Sequence, residues 1–144
     1  MAPALTTVEP ATPAHYDAIR ELDLMLPGVR DRGDALRAWI DAGECWVAYC
    51  DGVLAGFVIA NPSFFAQCFI VLLVVHPGHR RQGVASALVR HVEGISPTAK
   101  LFTSTNRSNL AMQAVCDSLG FVRSGVVENL DEDDPELIYF KRVR

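Results

Sequence analysis

The chain has 144 residues, half of them hydrophobic, and a formal net charge of −4 at pH 7. This length suffices for one well-buried core and is short for two, so we expect a single domain over residues 1–144. A small negative net charge excludes the broad basic field that draws proteins to nucleic acids or anionic lipids. We therefore expect neither a nucleic acid nor a membrane among its partners.

The N-terminal stretch MAPALTTVEPATPAHY has no basic start followed by an apolar segment, so no secretory signal is predicted. The longest apolar run, residues 69–75, is too short to cross a bilayer. The cysteines lack the paired spacing of a zinc site. They are Cys45, Cys50, Cys68 and Cys116. We expect buried, reduced thiols, no metal and a cytoplasmic location.

Periodic apolar residues and turn signals predict a strand, two helices and a β-hairpin in the first part of the chain. These elements are expected over residues 5–8, 14–26, 34–42, 45–49 and 53–60. Asn61-Pro62-Ser63 is expected to end the last of these strands, which places Phe64 and Phe65 in a loop. The two aromatic side chains could line a substrate entrance or pack against the core.

Residues 68–75 are almost entirely apolar, as expected for a strand that is covered on both faces. A helix that starts at Gly83 and a strand over residues 100–104 follow, so we expect a parallel βαβ unit. Another helix and two strands complete the chain, over residues 109–119, 121–128 and 137–141. The predicted fold class is α/β with a mixed sheet.

A basic turn joins the long apolar strand to its helix. Residues 77–84, PGHRRQGV, place backbone N–H groups at a helix start, where the helix dipole also favours an anion. Gly78 and Gly83 permit close backbone approach, and Arg80 and Arg81 add cationic donors. A phosphate or pyrophosphate is the expected ligand, and a surface turn without a ligand is the alternative. The sequence lacks both the P-loop and the dinucleotide-binding glycine patterns.

Residues 73–86, LVVHPGHRRQGVAS, resemble the acyl-CoA signature of the GNAT superfamily of N-acetyltransferases. The signature Arg/Gln-x-x-Gly-x-Gly/Ala is met by Arg80, Gly83 and Ala85. Residues 109–121, NLAMQAVCDSLGF, resemble the second motif of that family, an Asn followed later by Gly-Phe. The resemblance covers nearly the whole chain. It implies a GNAT-like mixed sheet of six to seven strands with about four helices, whose parallel fourth and fifth strands splay around the acyl-CoA groove.

The resemblance implies that the chain uses acetyl-CoA to acetylate a primary amine of a small molecule or peptide, by direct attack on the thioester. The backbone of residues 73–75 would pair with the pantetheine arm, and a backbone N–H near Leu73 would stabilise the oxyanion. Asn109 would bind the arm from the other side, or it could only cap its own helix. The residues implied in cofactor binding are Leu73, Val74, Val75, Arg80, Arg81, Gln82, Gly83, Val84, Ala85, Ser86 and Asn109.

The proton donor for the leaving thiolate is left open. The position where the family usually has Tyr is Cys116, whose alternative role is core packing. Glu128, His76 and Tyr139 are further candidate acids or bases, although each also suits an ordinary surface, turn or sheet position. An amine that loses its proton to bulk water needs no dedicated base. Because the usual Tyr is missing, a non-catalytic acyl-CoA-binding regulatory module is the alternative function.

Six acidic residues crowd the loop between the last two strands and its ends. They are Glu128, Asp131, Glu132, Asp133, Asp134 and Glu136. Their charge could attract a cationic amine, although charge runs are usually solvated turns. If attraction matters, neutralising residues 131–134 should raise KM and flatten its salt dependence.

The sequence bears on two further interactions, with a nucleic acid and with a second copy of the chain. Nucleic-acid binding through Arg80, Arg81 and Arg90 is disfavoured, because no stacking aromatic residues interleave these cations. The two final strands could pair across a homodimer.

Overall fold

The computed structural model describes residues 5–80 and 83–144. Within these ranges the chain forms seven strands, four α-helices and two short 3-10 turns. The strands are β1 (Thr6–Pro10), β2 (Cys45–Cys50), β3 (Val53–Phe64), β4 (Gln67–Val75), β5 (Lys100–Asn106), β6 (Val122–Val127) and β7 (Glu136–Arg142). The helices are α1 (Tyr16–Leu24), α2 (Gly33–Asp41), α3 (Val84–Ile95) and α4 (Leu110–Ser118), and the 3-10 turns are Pro13–His15 and Pro77–His79. Among the residues described, no helix has the length and apolar character needed to cross a membrane.

The strands form one mixed sheet in the order β1-β2-β3-β4-β5-β7-β6. β4 and β5 are parallel neighbours, paired from Cys68 opposite Leu101 to Ile70 opposite Thr103. The pairs β1–β2, β2–β3, β5–β7 and β6–β7 are antiparallel. The predicted fold class, a mixed sheet with parallel fourth and fifth strands and four helices, is confirmed.

Strand β3 is longer than the sequence predicts. The pairing of β2 with β3 ends with Cys45 opposite Ile59, so the later part of β3 extends past β2. Pro62 lies in this extension, where its missing N–H is tolerated as it is on other strand edges. The strand therefore continues to Phe64, and the turn to β4 falls at residues 65–66. The prediction that Asn61-Pro62-Ser63 breaks the strand and leaves Phe64 in a loop is wrong.

Of the described residues, 5–60, 72–80 and 83–92 form one compact unit. Its buried core residues come from β2, β3, α1, α2 and α3 and include Ile19, Leu36, Val47, Phe57, Ile59 and Leu88. Gly56 of β3 is a position where no side chain fits. An added Cβ would lie 2.6 Å from the carbonyl oxygen of Val74 and 3.0 Å from Cγ1 of Val84. This glycine therefore lets β3 approach both the end of β4 and the start of α3.

Residues 61–71 and 93–144 form a second compact unit. Its core is built from buried side chains of β5, β7, α4 and the residue before β6, among them Leu101, Cys116, Phe121, Leu137 and Tyr139. The buried hydroxyl of Thr103 donates to the carbonyl oxygen of Ile70 at 3.1 Å, which satisfies a polar group inside the sheet.

Candidate active site

His76 orders the turn that follows β4. Its backbone N–H donates to the carbonyl oxygen of Ala55 at 2.7 Å, which ties the start of the turn to β3. Its ring Nδ1 accepts a hydrogen bond from the N–H of Gly78 at 2.9 Å. Because Nδ1 acts as an acceptor, the neutral ring carries its proton on Nε2. The contacts of His76 are thus those of a turn residue, the ordinary role that its sequence position also suits.

The start of α3 is open to an anion. Gly83 has a φ of 81°, which favours glycine, and an added Cβ there would meet nothing within 4 Å. Its carbonyl oxygen accepts from the N–H of Ala87 at 2.9 Å, which begins the helix. The N–H groups of Val84, Ala85 and Ser86 have no acceptor within the helix. No acidic side chain lies in the first turn, so the positive end of the helix dipole is not neutralised there.

The other predicted cofactor residues of this unit flank the helix start in sequence. Residues 73–75 are the last three of β4; Val74 is 3% exposed, and its two neighbours are half-buried. Arg80 is exposed and has extended backbone. Arg81 and Gln82 lie outside the described residues.

Asn109 caps α4 in the second unit. Its side-chain oxygen accepts a hydrogen bond from the N–H of Met112 at 3.1 Å. This is the N-cap role that the sequence offers as its alternative, and it leaves the side-chain NH2 of Asn109 as a donor. Ser108, a plausible cap by residue type, instead donates its hydroxyl to Asp134.

Cys116 lies on the buried side of α4, with 1% of its surface exposed. Burial, and to a lesser extent the nearby carboxylate of Asp117, raises the pKa of the Cys116 thiol to about 11. The thiol is therefore protonated at neutral pH, and solvent does not reach it. This environment is that of a core residue.

Tyr139 belongs to a chain of hydrogen bonds under α4 that sequence reasoning missed. The ring is 1% exposed, and its hydroxyl accepts from Nε of Arg123 at 3.4 Å. Arg123 also donates to the side-chain oxygen of Gln113 at 3.2 Å. Gln113 in turn donates to the carbonyl oxygens of Arg107 at 2.6 Å and Asn106 at 3.3 Å. The one feature of the sequence that points to these hydrogen bonds is Gln113, a polar residue on the inward-facing side of an apolar helix.

Glu128 is exposed and lies on the acidic loop, residues 128–136. It lines an open cavity of 650 Å³ together with Arg107 and residues 129–135. The buried candidates Cys116 and Tyr139 are not among the described residues that line this cavity. The structure therefore does not bring these three candidate catalytic residues together around it.

Two residues of the acidic loop bind the segment that joins β5 to α4. Asp134 accepts from the N–H of Ser108 at 3.0 Å and from its hydroxyl at 2.6 Å. The side-chain amide of Asn106 donates to Asp131 at 2.8 Å and to the carbonyl oxygen of Asp134 at 3.3 Å. The loop is thus more than a solvated turn. A charge effect on substrate entry has to be tested at Glu132 and Asp133, since neutralising all four residues would also break these bonds.

The bonds from Ser108 lower the pKa of Asp134 below its ordinary value. A lowered folded-state pKa contributes stability above the unfolded-state pKa of about 4, and this contribution is lost as pH falls through the folded value. We expect Asp134→Asn to lower Tm at pH 7 and to lose this effect at acidic pH. Thermal unfolding from pH 7 to pH 2 measures it, with Asp133→Asn as control. A Tm difference that stays constant down to pH 2 would contradict the assignment.

In residues 5–80 and 83–144, no group of three or more His, Cys, Asp or Glu side chains is arranged to hold a metal ion. All four cysteines are buried. Burial raises the pKa of the Cys45 thiol to about 12, so this residue too is protonated at neutral pH.

The fold has many counterparts of known structure. A GNAT family acetyltransferase from Bacillus cereus is 39% identical, with a TM-score of 0.90 over 96% of this chain and 97% of that one. The ribosomal-protein-S18-alanine N-acetyltransferase from Escherichia coli has a TM-score of 0.80 at 20% identity, over 96% and 94%. Arabidopsis thaliana Naa50, in complex with the bisubstrate analogue CoA-Ac-MVNAL, has a TM-score of 0.79 at 18% identity, over 94% and 97%.

The sequence itself matches the Acetyltransferase (GNAT) family over residues 16–121. This range starts at α1 and ends at Phe121, so it includes the open start of α3 and all of α4. No curated protein matches the sequence significantly. The match over most of the chain, together with the 39% identical acetyltransferase, confirms the resemblance noted in the two motifs and the prediction of an N-acetyltransferase. The chain belongs to the GNAT family of acetyltransferases.

Proposed function

We propose that this enzyme transfers the acetyl group of acetyl-CoA to a primary amine of a small molecule or peptide, by direct attack of the amine on the thioester. The observation that carries the proposal is the start of α3, where Gly83 leaves space beside N–H groups that have no acceptor within the helix. The complex of Arabidopsis Naa50 with a CoA-peptide analogue supports the same pairing of substrates. A single domain of residues 1–144 would contain the whole site.

The chain offers acetyl-CoA both backbone and side-chain donors. The backbone of residues 73–75 would pair with the pantetheine arm. The pyrophosphate would be bound by the turn from Arg80 through Arg81, Gln82 and Gly83 and by the N–H groups of Val84, Ala85 and Ser86. The side-chain NH2 of Asn109 would donate to the arm, since its oxygen is used by the N–H of Met112. These groups fit an anion with an extended polar arm.

Bound acetyl-CoA supplies the thioester, and the chain supplies positioning and charge stabilisation. The backbone N–H of Leu73 would donate to the thioester oxygen as negative charge develops on it. Because Cys116 and Tyr139 are buried, we propose that water protonates the leaving thiolate. Glu128, which is exposed, stays the candidate base. If neither Glu128 nor another residue acts as the base, kcat/KM should rise with pH until the amine substrate is fully neutral.

Cys116→Ala should leave kcat nearly unchanged, because a buried thiol that packs in the core takes no part in proton transfer. A general acid contributes about 10²–10⁴-fold, so its loss would be obvious in kcat. Steady-state kinetics over a pH series measures the effect. Cys45→Ala is the matched control, since this cysteine is equally buried, at 1% exposure, but lies on β2. A hundredfold loss of kcat in Cys116→Ala alone would assign the acid role to Cys116.

The proposal is tested by measuring acetyl-CoA binding by calorimetry and free-thiol release with a panel of amines. The panel holds small amines, aminoglycosides and peptides with free N-termini, and N-acetylated peptides are the control. We expect binding, and thiol release with at least one free amine. Binding without turnover on any amine would favour the non-catalytic module, whereas absence of binding would contradict the cofactor assignment. Salt-dependent KM values for Glu132→Gln/Asp133→Asn then test whether the acidic loop attracts a cationic amine.

The remaining expectations concern location and partners. Four buried cysteines suit a reducing compartment, and we propose the cytoplasm. Acetyl-CoA and the amine are the proposed ligands, without a nucleic acid, a membrane or a resident metal. A homodimer is the proposed assembly.

A further inference from the structure

Strand β6 is an exposed edge of the sheet. It ends the strand order, and each of its six residues is exposed. Val122 and Val126 are each 55% exposed. Edge strands are commonly protected by proline or by outward-facing charges. In β6 the single charged residue is Arg123, and its side chain points inward to Tyr139 and Gln113. A bulge between Arg123 and Gly125 interrupts the register, but the residues on either side of it are valines.

A row of aromatic side chains leads to this edge across one face of the second unit. Phe64 stacks on Phe69 at 5.2 Å between ring centroids and lies 5.0 Å from Phe102. Phe102 lies 5.8 Å from Phe140, its partner on the neighbouring strand. Val122 of β6 pairs with Phe140 and extends the row to the edge. All four rings of this aromatic row are partly exposed, so the row is an apolar surface.

The two ends of the β6 edge carry opposite charge. At the end where β6 starts, the neighbouring strand β7 carries the exposed Arg142, and its pairing partner Lys100 on β5 is also exposed. At the other end β6 continues into the acidic loop, where Glu132 is exposed. Leu130 of that loop is 66% exposed, so an apolar side chain projects among the acidic ones. Asp131 is used internally by Asn106. The side of the sheet that includes β6 and β7 is therefore basic near the start of β6 and acidic near its end.

We propose that β6 pairs antiparallel with β6 of a second copy of this chain. Antiparallel pairing reverses one strand, so the acidic loop of each copy would meet the basic end of the other, and Leu130 would approach the aromatic row. Parallel pairing would instead place the two acidic loops side by side and the two basic ends side by side. The antiparallel arrangement has two-fold symmetry, so each contact occurs twice and both β6 edges are used within the dimer. The partner is thus a second copy, recognised by backbone pairing and complementary charge.

The charges at the two ends allow a test by exchange. Arg142→Glu places an acid against the acidic loop of the other copy, and Glu132→Arg places a base against the basic end. Either variant alone repels itself at both symmetric contacts. An equimolar mixture of the two variants allows a mixed dimer with opposite charges at both contacts. At one contact the two substituted ends meet each other, and at the other contact the two unsubstituted ends meet each other. Arg30→Glu is the control, an exposed arginine outside this edge with the same change of charge.

Sedimentation velocity of the full chain at 100 mM salt is the measurement, with Tm as the check that each variant is folded. We expect a wild-type dimer, at least about tenfold weaker self-association in either variant, and dimers again in the mixture. Arg30→Glu should behave as wild type. A monomeric wild-type chain would overturn the proposal, as would single variants that dimerise normally or a mixture that stays monomeric. None of these outcomes depends on acetyl-CoA binding, so the result stands apart from the proposed activity.

Discussion

Gly83→Glu should weaken acetyl-CoA binding by at least about a hundredfold. The added carboxylate would occupy the open space before α3 and would neutralise the helix start where the pyrophosphate is proposed to bind. Each hydrogen bond to a charged group contributes about 1.5–3 kcal/mol, so losing one or two already reaches this factor. Isothermal titration calorimetry with acetyl-CoA measures the change.

Gly43→Glu separates this effect from backbone strain. Gly43 has a φ of 74°, close to the 81° of Gly83, and an added Cβ there also meets nothing within 4 Å. Both variants introduce the same side chain into the same region of backbone conformation, so each should lose about 1 kcal/mol of stability. Only the Gly83 variant should lose acetyl-CoA binding. Equal binding by the two variants would contradict the proposed pyrophosphate site.

Arg32→Ala should be strongly destabilising, by about 3–5 kcal/mol in urea unfolding. Nε and Nη2 of Arg32 each donate to one oxygen of Asp23 at 2.8 Å, so the pair is bidentate. The Asp23 side chain is 1% exposed, whereas that of Arg32 is 34% exposed. Removing Arg32 therefore leaves a buried carboxylate without its counter-ion. Arg32→Lys should recover only part of the loss, because an ammonium group does not make the bidentate contact.

Arg20→Ala is the matched control in the same segment. Arg20 pairs with Asp31, but both side chains are exposed, at 43% and 48%. Solvent screens such a pair and hydrates each partner when the other is removed. Its loss should cost far less stability than the loss of Arg32. Similar unfolding free energies for the two variants would show that burial of Asp23 does not set the strength of the pair.

Predictions from the sequence succeeded where the information is local. The long apolar strand, the glycine that starts α3 and the Asn-to-Gly-Phe stretch are each read from a short segment. The error at residues 61–65 had a non-local cause. The local sequence predicts that a proline breaks a strand, but the outcome depends on whether a neighbouring strand needs its N–H, and the pairing of β2 with β3 ends at Ile59, before Pro62.

The catalytic candidates show the same division. The spacing to Asn109 marks Cys116 as a candidate, while its burial, which raises the pKa of the thiol to about 11, depends on how α4 packs. Tyr139 was a candidate because of its residue type. Its hydroxyl is bound by Arg123, sixteen residues away in sequence, and no local pattern marks that contact.

The sequence by itself determined the family, the order of the elements and the turn that we propose binds the pyrophosphate, because a strand, a glycine and a helix start are specified by adjacent residues. Only the tertiary structure decided how the acidic loop is used. Asp131 and Asp134 bond to Asn106 and Ser108, 25 and 26 residues away, while Glu132 stays exposed. Neighbouring carboxylates of equal charge thus differ in role, since the fold brings hydrogen-bond donors to only some of them.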